Sequence, residues 1–185
     1  FSFDDVKKTK ILNSLTGKET GNFNAQYTQV VEAKKGKGLI TDGDSDIVIG
    51  EIGPYERHHE FSFSLWLKVP ESYKRAIVMH RSKAWNDAAS RGYELLVEDG
   101  KVSFALVHFH PGNEIRVRAK NNLKINDWQQ VSVSYDGSSK AAGIKLYLNG
   151  EAIVTDIIKD NLTKEIYYKD PTKVKAPQKA DAKGK

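Results

Sequence analysis

The sequence predicts an all-β domain of antiparallel strands closed into a sandwich or barrel, and three observations carry that reading. Short β-branched or aromatic runs recur through the body, clusters of Gly, Asn, Asp and Pro separate them, and no long amphipathic helical period is present. Many short strands in 185 residues require two packed layers or a closed barrel, because a single open sheet would leave one apolar face in water. That length suits one core, burying roughly two thirds of the unfolded surface.

Residues 1–50 are the least regular part, with glycine-rich spacers and the segment GKGLITDGDSDIVIG. The run FSFSLWLKV then alternates. It places Phe61, Phe63, Leu65, Leu67 and Val69 on one face and Ser62, Ser64, Trp66 and Lys68 on the other, so the first face belongs in a core. SKAWNDAAS, from Ser82 to Ser90, interrupts the strands as a loop or one helical turn. In YELLVEDGKVSFALVHF the dipeptide Asp99-Gly100 separates two strands; a two-residue turn with positive φ at both positions pairs Glu98 with Lys101, Leu95 with Phe104 and Arg91 with His108. WQQVSVSYDG and GIKLYLNGEAIVTDI follow as neighbouring antiparallel strands, the second turning at Asn149-Gly150 with Leu146 opposite Ile153. Residues 1–168 read as one domain and 169–185 as a Lys-rich flexible tail or loop.

The net charge of +5 sits mostly in that tail, where six lysines face two aspartates, leaving only about +1 on the body. A solvated basic tail lacks the clustered stripe with interleaved aromatics that phosphate binding needs, so nucleic acid is not an expected partner. No apolar run approaches the roughly 18 residues of a spanning helix, so no membrane span is expected. Cysteine is absent, which excludes disulfide scaffolds, cysteine nucleophiles, thiolate zinc sites and a covalently attached haem. The chain begins at Phe1 without a basic-then-apolar leader, which reads as a mature product or a piece of a longer chain.

GKGLITDGDSDIVIG, FSFSLWLKV and NDWQQVSVSYDGSSKAAGIKLYLNGE, in that order, resemble the landmark segments of laminin-G-like domains of the concanavalin A-like lectin/glucanase superfamily. The most specific is the last: a Trp opening a strand, Tyr-Asp-Gly closing it, then a variable loop and a Leu-Tyr-Leu-Asn-Gly hairpin. The resemblance implies a two-sheet antiparallel jelly roll. HRSKAWNDAASRGYELLVEDGK, HFHPGNEI and DNLTKEI look like the laminin-G-like insert of large secreted planctomycete cytochrome-type proteins, which implies one module of an exported multidomain protein. The leucine-x-isoleucine-glycine strand and the later aspartate-glutamate-valine-arginine-isoleucine strand usual in such domains are missing after Ile166. The expectation is therefore a jelly roll lacking its last strands, completed by a further polypeptide segment beside the strands of Phe61–Val69 or Trp128–Asp136.

Four constellations bear on chemistry. Glucanases of this superfamily carry carboxylates at alternate positions of one strand, about 5 Å apart across the scissile bond. Here Glu94 and Glu98 flank the apolar Leu96, which argues against hydrolysis and suggests a solvated strand face. His108, His110 and Glu114 have cupin-like spacing, but Pro111-Gly112 breaks the strand and no second histidine motif follows, so rim histidines bonded to neighbours are the alternative. Asp42, Asp44 and Asp46 alternate as a calcium site does, or form a polar turn; structural calcium is the one metal suggested, and no other cofactor is. Finally, register draws Arg81, Trp85, Arg91, His108, His110 and Asn113, with His80 and Asp87, to the hairpin end remote from Asp99-Gly100. Aromatic and planar polar groups at one rim suit a sugar, although Asp87 and Arg91 fixing the loop would explain them equally. Asn161-Leu162-Thr163 is a chance glycosylation sequon in this reading. The function expected is a noncatalytic module that recognises carbohydrate or a neighbouring domain of its parent, with a glucanase-type hydrolase or a cupin-like metal enzyme as alternatives.

Overall fold

The computed structural model describes residues 1–4, 6, 8–41, 43, 47–50, 53–82 and 90–167. Fourteen strands are present among them: β1 (Lys10–Leu12), β2 (Glu19–Phe23), β3 (Thr28–Glu32), β4 (Lys37–Thr41), β5 (Ile47–Ile49), β6 (Glu60–Leu67), β7 (Arg75–Ser82), β8 (Ser90–Glu98), β9 (Lys101–Phe109), β10 (Asn113–Ala119), β11 (Gln129–Asp136), β12 (Ile144–Leu148), β13 (Glu151–Ala152) and β14 (Thr155–Asp160). A 3-10 turn, Ala141–Gly143, precedes β12.

Two antiparallel sheets form the body, one of five strands in the order β14-β10-β9-β8-β7 and one of four in the order β13-β12-β11-β6. The chain crosses between them three times, from β6 to β7, from β10 to β11 and from β13 to β14. Residues 1–50, the least regular in sequence, supply a three-stranded sheet, β1-β2-β5, and the hairpin β3-β4.

The expected alternation sets the core. From β6, Phe61 is buried and Phe63, Leu65 and Leu67 pack half-buried beside it; β11 adds Val131, Val133 and Tyr135, and β12 adds Ile144 and Leu146. Tyr93, Leu95, Val97, Val102, Phe104, Leu106, Ile115 and Val117 face them from the other sheet. The Phe104 ring lies 6.3 Å from Phe61 and 5.7 Å from Phe63, centroid to centroid, so aromatic rings from both sheets interlock. Truncating such a ring costs about 3–5 kcal/mol.

The turns are those the sequence demands. Asp99 and Gly100 take φ of 50° and 73°, and Asn149 and Gly150 take 52° and 89°, so both hairpins close through two left-handed residues. Glu98 pairs with Lys101 and Leu95 with Phe104, while the Ile153 amide donates to the Leu146 carbonyl. One expectation needs correction. The face of β8 that carries Glu94, Leu96 and Glu98 is not solvated: Glu94 and Leu96 are buried, as are Ala105 and Val107 of β9 and Glu114 and Arg116 of β10. The Asn161 side chain is used in the fold, as described next.

Candidate functional site

The rim is built from the ends of β8, β9 and β10. Ser90 pairs with Phe109 and Gly92 with Val107, so Arg91 and His108 stand opposite each other as the hairpin register requires. Beyond them the chain turns through Pro111 and Gly112 and returns at Asn113. A concavity of about 480 Å³ lies there, lined by Ser90, Arg91, His108, Phe109, Gly112, Asn113 and Lys164. Phe109 is 61% exposed, an unusual state for a large apolar ring.

A polar clamp shapes one wall. The Asn113 side chain donates to Thr163 Oγ1 at 2.8 Å, and its carbonyl accepts from the Thr163 and Lys164 amides, each at 3.1 Å. Asn161 answers from the other side, its amide donating to the Gly112 carbonyl at 2.9 Å and its Oδ1 accepting from the Glu114 amide. His108 Nδ1 donates to the Glu165 carbonyl at 2.6 Å, which leaves Nε2 without a partner among the described residues. Asn113 thus positions the segment that delivers Lys164. Arg91 and the Lys164 ammonium have no ion pair among the described residues, and they are the cationic lining of the concavity.

Behind the rim, the sheet face carries a buried ion network. Arg116 reaches Glu94 through Nη2, Glu114 through Nε at 3.5 Å and Glu98 through Nη1 at 3.7 Å. Burial by itself would lower the Arg116 pKa, but Glu94, Glu114 and Glu98 outweigh it and hold the guanidinium above its ordinary value. His110 Nδ1 donates to Glu114 Oε2 at 2.8 Å, joining the network to the rim loop. The two carboxylates of the glucanase comparison therefore converge on one arginine. His80, across from Glu94 on β7, is held below its ordinary pKa by burial, against an opposing pull from that carboxylate.

Arg81 lies on β7 with its guanidinium 5.4 Å from the Tyr167 ring centre, apart from the residues that line the concavity. Trp85 and Asp87, and the aspartates 42, 44 and 46, fall outside the described residues. Among the described residues no group of three His, Asp or Glu is placed to hold a metal ion. Three residues escaped the sequence reading. Phe109 was hidden as the spacer between two histidines, and Lys164 arrives through the Asn113 clamp, for which no local pattern exists. Arg116 left a signal, since Glu114, Arg116 and Arg118 alternate on one strand face.

A two-sheet antiparallel sandwich with interlocked aromatic rows and a rim of loops defines a concanavalin A-like fold. Residues 41–168 match the Laminin_G_3 family model, described as the concanavalin A-like lectin/glucanases superfamily. The chain belongs to this laminin-G-like family, which supports a β-sandwich module that binds carbohydrate or a partner. Among curated proteins, none matches the chain. No helix among the described residues is long and apolar enough to cross a membrane.

Proposed function

We propose that this domain is a noncatalytic recognition module of a larger exported protein, and that its rim concavity binds carbohydrate bearing an acidic group. One observation carries the reading: an exposed aromatic ring, Phe109, shares a concavity with Arg91 and Lys164, whose charges are not spent on any ion pair among the described residues. A pyranose stacks its apolar face on such a ring, while a guanidinium and an ammonium meet a carboxylate or sulfate. His108 Nε2 and the Ser90 hydroxyl offer further contacts for sugar hydroxyls.

Calorimetric titration with polygalacturonate and with a neutral β-glucan tests the proposal. Binding of the first, weakened by salt and by about tenfold in Arg91→Ala or Lys164→Ala, is expected, a loss of about 1.4 kcal/mol. Equal affinity for both polymers, or indifference to both substitutions, overturns it. Commitment of Glu94, Glu98 and Glu114 to Arg116 supports the noncatalytic part, because a general acid and a nucleophile need carboxyls that face substrate. The pairing of His110 with Glu114 likewise argues against a cupin-like metal enzyme. A second reading, docking of a neighbouring domain, is favoured by the exposed apolar side chains of Val154, just before β14, and of Ile157 and Ile158 within it.

A further inference from the structure

His108 lines the rim concavity in a fixed tautomer. Its Nδ1 lies 2.6 Å from the Glu165 carbonyl, and a carbonyl oxygen only accepts, so Nδ1 carries the proton. In the neutral ring Nε2 is then a bare lone pair. It has no partner among the described residues, and its side chain is part of the concavity wall.

The other polar groups there are of the opposite kind. Arg91 and Lys164 can only donate. The Asn113 side-chain oxygen is taken by the Thr163 and Lys164 amides, and the Gly112 carbonyl by the Asn161 side chain. The Ser90 hydroxyl can act either way. Among the described lining side chains, His108 is therefore the one whose unpartnered atom must accept. It asks the ligand for an O–H or N–H.

We propose that His108 determines specificity at the rim: Nε2 accepts from a free hydroxyl beside the acidic group that Arg91 and Lys164 hold, which makes the ligand a uronic acid polymer with unsubstituted ring hydroxyls. This rests on the carbohydrate reading of the rim and narrows it. An O-methyl or O-acetyl group removes the hydrogen that Nε2 needs, and a sulfate ester in that place turns anionic oxygens toward a lone pair. Both are disfavoured. The choice holds only while the ring is neutral. Histidine takes up its second proton between about pH 8 and 5, after which Nε2 donates and a substituted sugar is as acceptable as a free one. The charges that bear on that proton are Arg91 on the facing strand β8, and Lys164 and the Glu165 carboxyl on the segment after β14. Glu56, Arg57 and His58 act on the Glu165 carboxyl in turn, while Glu114 of β10 is spent on His110 and Arg116. Bonding to Glu56 holds the Glu165 carboxyl above its ordinary pKa, so that side chain needs its own control.

Calorimetric titration with polygalacturonate and with its O-methylated derivative, at pH 7.5 and at pH 5, tests this. At pH 7.5 the free polymer is expected to bind about tenfold more tightly, the effect of one hydrogen bond to a sugar hydroxyl at an open rim. At pH 5 the two are expected to bind alike. His108→Ala is expected to bind both alike at either pH. His108→Gln is expected to keep the preference at both, because an amide donates through nitrogen and accepts through oxygen as the neutral ring does, but takes up no proton. Glu165→Gln leaves the backbone carbonyl in place and is expected to keep the wild-type pH profile. A preference that survives in His108→Ala is exclusion by bulk and overturns the proposal. So do a pH profile lost in Glu165→Gln, and equal binding of both polymers at pH 7.5 with Arg91 still required. If neither polymer binds through Arg91, the carbohydrate reading itself falls, and the role of His108 with it.

Discussion

Arg116 concentrates the largest single-residue effects. It is almost wholly buried and stands between three carboxylates, so its removal takes from the buried Glu94 and Glu114 the guanidinium that both of them face. Arg116→Met is expected to cost about 3–5 kcal/mol in urea unfolding, the range for breaking a buried ion pair from one side. Arg118→Ala is the control: its pair with Asp99 is largely exposed and contributes about 0–1 kcal/mol. His80 makes a prediction in pH. Its folded pKa lies below the ordinary 6.5 because of burial, so the unfolded chain binds the proton more readily. Stability from keeping His80 neutral is complete above the unfolded value and declines as pH falls below about 6.5. Melting temperatures measured from pH 7.5 down to 5 are expected to drop, and His80→Gln is expected to flatten that slope.

The elements divide by how local their determinants are. The hairpin of β8 and β9 was readable because a two-residue Asp-Gly turn leaves a single register, and from it followed the meeting of Arg91 and His108. The same holds for β12 and β13, and for the core face of β6, where alternation alone assigns Phe61 and Phe63. The strands before residue 50 were not readable, since three to five residues with mixed polarity carry no period to recognise. Lys164 could not be foreseen, because its place depends on Asn113, which is 51 residues away. The buried charge network was misjudged from a pattern that was correct: alternation put Glu94 and Glu98 on one face, but which faces are buried depends on packing. The clamp gives an element-level test. Asn113→Ala is expected to cost about 1 kcal/mol and to speed exchange of the Thr163 and Lys164 amides, both of which lose their acceptor. It is expected to weaken ligand at the rim as well, by letting Lys164 move.

For the molecule as a whole, the fold keeps the candidate site apart from the acidic side chains. The rim concavity lies at the ends of β8 to β10, whereas Glu94 and Glu98 are turned to Arg116 behind it. No reducing ends are expected to be released from β-glucans; release abolished by Glu94→Gln or Glu98→Gln would show catalysis. The segment after β14 has one more consequence. Leu162 and Ile166 are set into the core, Asn113 and Asn161 tie its start to the rim loop, and the Glu56 carboxylate accepts from the Ile166 and Tyr167 amides at 3.1 and 2.8 Å. Tension applied to the chain at Tyr167 therefore meets a row of polar ties and two apolar anchors before it reaches any strand. In single-molecule pulling from that end, the segment is expected to peel off first as a separate short extension, at lower force in Asn113→Ala, while the sheets stay folded: a mechanical fuse that takes up load ahead of the sandwich.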